Sequence, residues 1–290
     1  MVDEALLPAR AAAPMPTRRA RYRRVMPRDF RFGIGLRDTS SAAKVGDAAR
    51  RAESLGYDVL LVADHLGGPA PIPVLATAAA ASQTLRLGTF VLNACFYKPA
   101  LLARDVAALH DLSGGRFEVG LGAGYVREEF EAAELPFPSA RERIEYLDHV
   151  AAYLTEQVPG AAIMIAGGGD RLLTVAARRA SIVGVTGTAL DERIAFLRKA
   201  AGARFGEIEL NVAITAVPTD GSGTPDLAMT RHFAPDLTDE QLLALPGVLS
   251  GSVSEMAAKV RRLRETHGVS YLVVQANHAE AFGKVIAALR

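Results

Sequence analysis

Apolar residues in this chain come in short continuous runs separated by longer amphipathic stretches. From residue 32 onward eight such runs stand out, at 32–36, 59–63, 85–91, 117–121, 162–166, 182–186, 209–216 and 271–275. Most are apolar throughout rather than alternating, which is the pattern of parallel strands covered by helices. The stretches between them read as helices with recognisable starts. Ser40 and Ser41 precede a helix predicted over 42–55, Pro71 heads one through 72–82, and Pro99 heads one through 112. Gly56 sits where a helix C-terminus accepts glycine. Eight strand-to-helix steps predict an α/β chain folded as a (β/α)8 TIM barrel, with an open doubly wound sheet as the alternative. The rhythm breaks after the seventh strand. Residues 217–250 carry Pro218, Pro225, Pro235, Pro246 and the run Asp220-Gly221-Ser222-Gly223. That is too long for a bare link, so it reads as an insertion with a short helix over 237–245. It is either a lid across one barrel mouth or an excursion away from it.

Composition narrows the picture. The chain has 290 residues, half of them hydrophobic, and a formal charge of +1. That charge is unevenly divided: residues 1–31 hold eight Arg against three acids, leaving a mildly acidic remainder. We therefore expect a disordered basic arm over 1–30 and a barrel domain over 31–290. An acidic body argues against nucleic-acid binding by the fold itself, and no apolar run is long enough for a membrane-spanning helix. A single cysteine, Cys95, excludes an intramolecular disulfide and a multi-cysteine zinc cluster. Its scarcity fits a cytoplasmic setting. No His/Asp/Glu spacing suggests a metal site.

The segment 81–125 carries the most information. Its ordered set Arg86, Gly88, Thr89, Val91, Pro99, Leu102-Ala103-Arg104, Leu112-Ser113, Gly115-Arg116 and Leu121-Gly122-Ala123-Gly124 resembles the third and fourth strands of the bacterial luciferase-like flavin and deazaflavin oxidoreductases. The resemblance continues more weakly from about residue 31 to the C-terminus. Residues 166–184 and 268–289 look like a deazaflavin-dependent group within that family.

Candidate chemistry sits at the strand ends. Gly167, Gly168, Gly169, Asp170 and Arg171 follow the fifth strand and open a helix over 172–180. Glycines admit close backbone approach and a helix start attracts anions, so the place suits a phosphate; a plain flexible turn is the alternative. The resemblance implies a cofactor phosphate on Gly167, Gly168 and Gly169, with Arg171 adding a charged contact. Asp64-His65 ends the second strand, where relatives place an acid–histidine pair beside the ring. His65 is the expected proton-transferring residue, oriented by Asp64; a strand-end histidine capping a carbonyl is the alternative. Thr89, Phe90, Val91 and Asn93 end the third strand. Relatives often carry a non-proline cis peptide there, equivalent to Phe90-Val91, with Asn93 supplying an amide near the ring; a plain core strand is the alternative. Gly120, Gly122 and Gly124 lack the G-x-G-x-x-G spacing of a dinucleotide fold and are expected to leave room for the ring. Tyr125 stands where some deazaflavin relatives carry a proton-donating Glu, and the stretch 155–161 is shorter than in relatives. His278 and His232 are placed to reach substrate; His110, His149 and His267 fall in helical patterns.

The resemblance implies an F420-dependent oxidoreductase transferring hydride between the deazaflavin and a small organic substrate, acting as a homodimer. FMN-dependent monooxygenation is one alternative. A cofactor-free barrel serving as a binding or partner subunit is another.

Overall fold

The computed structural model describes residues 28–290. The basic arm expected over 1–30 therefore lies outside the described residues except for its last three. Among the described residues, nine parallel strand segments form one sheet that closes on itself. They are β1 (Arg31–Gly35), β2 (Val59–Val62), β3 (Arg86–Thr89), β4 (Leu92–Asn93), β5 (Phe117–Gly122), β6 (Ala162–Gly167), β7 (Ile182–Val185), β8 (Glu209–Ile214) and β9 (Val269–Gln275). Segments β3 and β4 are two halves of one barrel strand, since both pair with β5. The structure is thus the eight-stranded (β/α)8 barrel that the sequence predicts.

The third strand differs from the continuous run expected over 85–91. It breaks after Thr89, the Phe90–Val91 peptide is cis, and pairing resumes at Leu92. The neighbouring strand makes room for it. A Cβ on Gly120 would lie 2.1 Å from the Thr89 carbonyl oxygen, and one on Gly122 would lie 2.7 Å from Val91 Cγ2. Only glycines there let the bend press against β5. Thr89 Oγ1 replaces the interrupted ladder by donating to Gly120 O and accepting from Gly120 N.

The helices are α1 (Ala42–Ser54), α2 (Pro71–Ala81), α3 (Pro99–Leu112), α4 (Arg127–Ala132), α5 (Ala140–Gln157), α6 (Asp170–Arg179), α7 (Leu190–Ala201), α8 (Ala228–Phe233), α9 (Asp239–Ala244), α10 (Val253–His267) and α11 (Ala279–Leu289). Their apolar faces pack on the outer faces of the strands and make the main core. A smaller core of Val59, Leu61, Met164, Ile182, Tyr271 and Val273 fills the barrel interior. Its N-terminal end is closed by charge. Arg31 lies 2.6 Å from the buried Glu118 and also pairs with Glu209, while the Tyr271 hydroxyl donates to Glu118 at 2.9 Å. Burial holds the Glu209 carboxyl above the usual range despite Arg31.

The insertion after β8 carries two short helices, α8 and α9, where one over 237–245 was expected. Thr238 starts α9 with a capping box to Gln241, which moves the beginning two residues later. The C-terminal part of the segment is tied down: the Thr215 amide donates to Gly247 O, and Lys259 Nζ donates to the carbonyls of Leu243, Leu245 and Val248. The stretch before the fifth barrel strand is short because α5 runs to Gln157 and β6 starts at Ala162.

Candidate active site

All strands run the same way, so every loop that follows a strand opens at one mouth of the barrel. After β2, the chain places Asp64 half-buried and His65 exposed. Asp64 Oδ2 accepts from the Asn93 amide at 3.1 Å and from the Tyr97 hydroxyl at 3.1 Å. Burial, with Glu129 adding repulsion, raises the Asp64 carboxyl above the ordinary range against those two donors. Burial and the Asp64 charge likewise push the Tyr97 phenol upward. The Asp64 hydrogen bonds therefore go to the end of the third strand, whereas His65 Nδ1 lies 2.7 Å from Glu129 Oε1.

Glu129 belongs to α4, which follows β5. That helix is only six residues long, yet it is anchored by Phe130, which is 1% exposed and meets Phe96 and Phe137 edge-on at 5.2 and 5.0 Å. Arg143 of α5 braces the same loop. Its Nε donates to Gly124 O at 3.0 Å, another nitrogen donates to Pro138 O, and the guanidinium lies over the Phe137 ring. Gly124 adopts φ +70°, and a Cβ there would overlap the Asn93 amide. Asn93 itself is buried, and its Oδ1 caps the short turn at Cys95 N. Tyr125, next to this packed glycine, is 70% exposed.

Across the mouth, β6 ends at Gly167 and α6 begins after Gly169. No side chain caps this helix, so its first-turn amides remain available. A Cβ on Gly169 would meet nothing within 4 Å, while Gly167 and Gly168 are packed against Leu172 and the Thr186 carbonyl. Arg171 is exposed. The guanidinium at the glycine turn is instead that of Arg193 from α7, which donates to Gly168 O at 3.2 Å and pairs with Asp170. Open space over Gly169, free helix-start amides and a nearby guanidinium make a setting that fits a phosphate.

The structure thus brings Asp64, Asn93 and Gly124 into contact, sets Thr89, Phe90, Val91 and Gly122 in the bend beside them, and places Gly167, Gly168, Gly169 and Arg171 at another strand end of the same mouth. Sequence reasoning missed Glu129, Tyr97, Arg143 and Arg193, whose partners are distant along the chain. Of the remaining histidines, His278 is buried after β9, with Nδ1 lacking a partner and burial lowering its basicity. His232 is exposed on α8. Among the described residues no group of His, Cys, Asp and Glu is arranged to hold a metal, and no helix is long and apolar enough to cross a membrane.

A closed parallel barrel with a bent third strand and a glycine-edged helix start at its mouth defines a class of TIM-barrel proteins. Residues 29–222 match the luciferase-like monooxygenase family. The chain belongs to that family. It is 39% identical over 101 residues to an F420-dependent glucose-6-phosphate dehydrogenase of Beutenbergia cavernae, covering 32% of this chain and 30% of that protein. It is 30% identical over 119 residues to a 4-hydroxyprotoasukamycin monooxygenase of Streptomyces nodosus subsp. asukaensis, covering 39% and 32% respectively. The matched stretches thus span about a third of these relatives' length. A solved F420-dependent secondary alcohol dehydrogenase, in complex with an F420-acetone adduct, superposes with a TM-score of 0.74 at 16% identity. The match covers 91% of this chain and all of that one.

Proposed function

We propose that the protein is an F420-dependent oxidoreductase that transfers hydride between the deazaflavin and a small organic substrate. The observation that carries this reading is the uncapped start of α6 over Gly169, with Arg193 beside it, at the same barrel mouth as the His65–Glu129 pair. An anion site and a proton-handling group then border one open surface. The similarity to an F420-dependent glucose-6-phosphate dehydrogenase supports the choice of deazaflavin. Gly167, Gly168 and Gly169 with the first-turn amides of α6 would hold the cofactor phosphate, and Arg171 and Arg193 would add charge. The bend at Thr89, Phe90, Val91 and Asn93, together with Gly122, Gly124 and Tyr125, would border the ring. When bound, the deazaflavin supplies hydride chemistry at carbon. The protein holds the substrate at the mouth, and His65 gives or takes the proton. Asp64 fixes the end of the third strand through Asn93 and Tyr97. The reading extends to a homodimer, as the family resemblance implies, in a cytoplasmic setting, which the single cysteine fits.

Titrating the protein with F420 and with FMN, following ligand fluorescence, tests the choice. Saturable F420 binding with weaker FMN binding is the expected result. Tight FMN binding with no F420 binding would replace it with the monooxygenase reading, which the similarity to a monooxygenase of the same family keeps in view.

A further inference from the structure

The contact between His65 and Glu129 joins two strand ends whose residues lie 64 positions apart. We propose that Glu129 is the positioning residue of His65: its carboxylate holds a proton on Nδ1 and leaves Nε2 as the basic atom at the mouth. Two acceptors do not approach to 2.7 Å without a proton between them, and a carboxylate only accepts whereas a ring N–H donates. The proton therefore belongs to Nδ1. Among the described residues no hydrogen bond engages Nε2. The two partners are unequal in support. His65 rides on an exposed loop with its side chain 52% accessible, whereas the Glu129 side chain is 16% accessible on a helix pinned by Phe130. The firmer group sets the orientation of the looser one. Asp64 does not compete for His65, because its carboxylate is engaged by Asn93 and Tyr97.

An unconstrained neutral histidine in water prefers its proton on Nε2, so Glu129 reverses the ordinary tautomer. In the reversed form His65 takes up a proton at Nε2 and returns it from the same atom. That polarity suits removal of a hydroxyl proton from substrate and its return in the opposite direction. This chemistry rests on the proposed function, but the tautomer does not.

The test is ¹⁵N–¹H long-range NMR of cofactor-free protein labelled at histidine, at about pH 9, where an ordinary imidazole is neutral. In the wild type, His65 should show a protonated Nδ1 and a bare Nε2. Glu129→Ala should invert that assignment to an Nε2–H majority, and Glu128→Ala, on the exposed face of the same helix, should leave it as in the wild type. A wild-type spectrum with Nε2 protonated overturns the proposal without any variant. So does an unchanged His65 signature in Glu129→Ala, or an equal change in Glu128→Ala. The measurement needs no cofactor, so a failure to bind F420 would count against the proposed function and leave this result standing.

Discussion

Replacing Gly120 by alanine probes the packing that sets the bend of the third strand. The new Cβ would lie 2.1 Å from the Thr89 carbonyl oxygen and 3.1 Å from Val91 Cγ1. Such contacts do not close below 3.0 Å, so the two strands must part by about 0.9 Å. The Thr89 hydroxyl bridges the same gap through bonds of 2.9 and 2.8 Å to Gly120. An added 0.9 Å carries both beyond hydrogen-bonding range. Overpacking costs about 1–3 kcal/mol, and each lost hydrogen bond about 1 kcal/mol. The expected destabilisation is therefore about 4 kcal/mol, or roughly 8–16 °C in Tm for a domain of this size. Scanning calorimetry of wild type, Gly120→Ala and Gly206→Ala measures it. The last is the control, because a Cβ on Gly206 meets nothing within 4 Å. A Gly120→Ala protein melting within about 3 °C of wild type would refute the reasoning.

Three further outcomes are expected. Arg193→Gln should weaken F420 binding about 10- to 100-fold, the worth of a charge-assisted contact; an unchanged affinity in the fluorescence titration would remove Arg193 from the phosphate site. Asp64→Asn should gain stability relative to wild type as pH rises. Burial raises the Asp64 carboxyl, so its contribution is full below the unfolded value near 4 and is lost as pH climbs through the folded value. Melting both proteins at about pH 4 and 7 checks this, and a Tm of the variant minus that of wild type that stays constant or falls between them would contradict it. Lys259→Met frees three carbonyls in the insertion, so protease cleavage over residues 234–250 should speed up about tenfold; equal cleavage rates would show that other contacts hold the segment.

How much was legible in sequence depended on how local each cause is. The barrel strands could be read because most are buried on both faces and are therefore largely apolar along their length. The break in the third strand was legible only through the family resemblance, which placed a cis peptide at Phe90-Val91, where the structure has it. Its residues alone, Thr89-Phe90-Val91-Leu92-Asn93, read as an ordinary strand, and what lets the bend pack is the absence of side chains at Gly120 and Gly122, some thirty residues later. Helix α4 escaped because one buried residue, Phe130, gives no periodicity to detect. With it went Glu129, although the acid-rich run Arg127-Glu128-Glu129 shortly after the glycine-rich strand end was a usable hint. Arg193 offered no such hint, since the turn it serves lies on another strand end. The start of α9 was written in the Thr238 to Gln241 spacing and went unread.

The brace at Arg143 divides the loop after β5 into a fixed frame and one free position. On one side of Tyr125 the Gly124 carbonyl is tied to Arg143, and on the other α4 is pinned through Phe130. The Tyr125 side chain itself carries no such duty. If the proposed function holds, exchange at this position would alter what the mouth admits while Glu129 stays where it is, so substrate preference could shift there without reworking the scaffold.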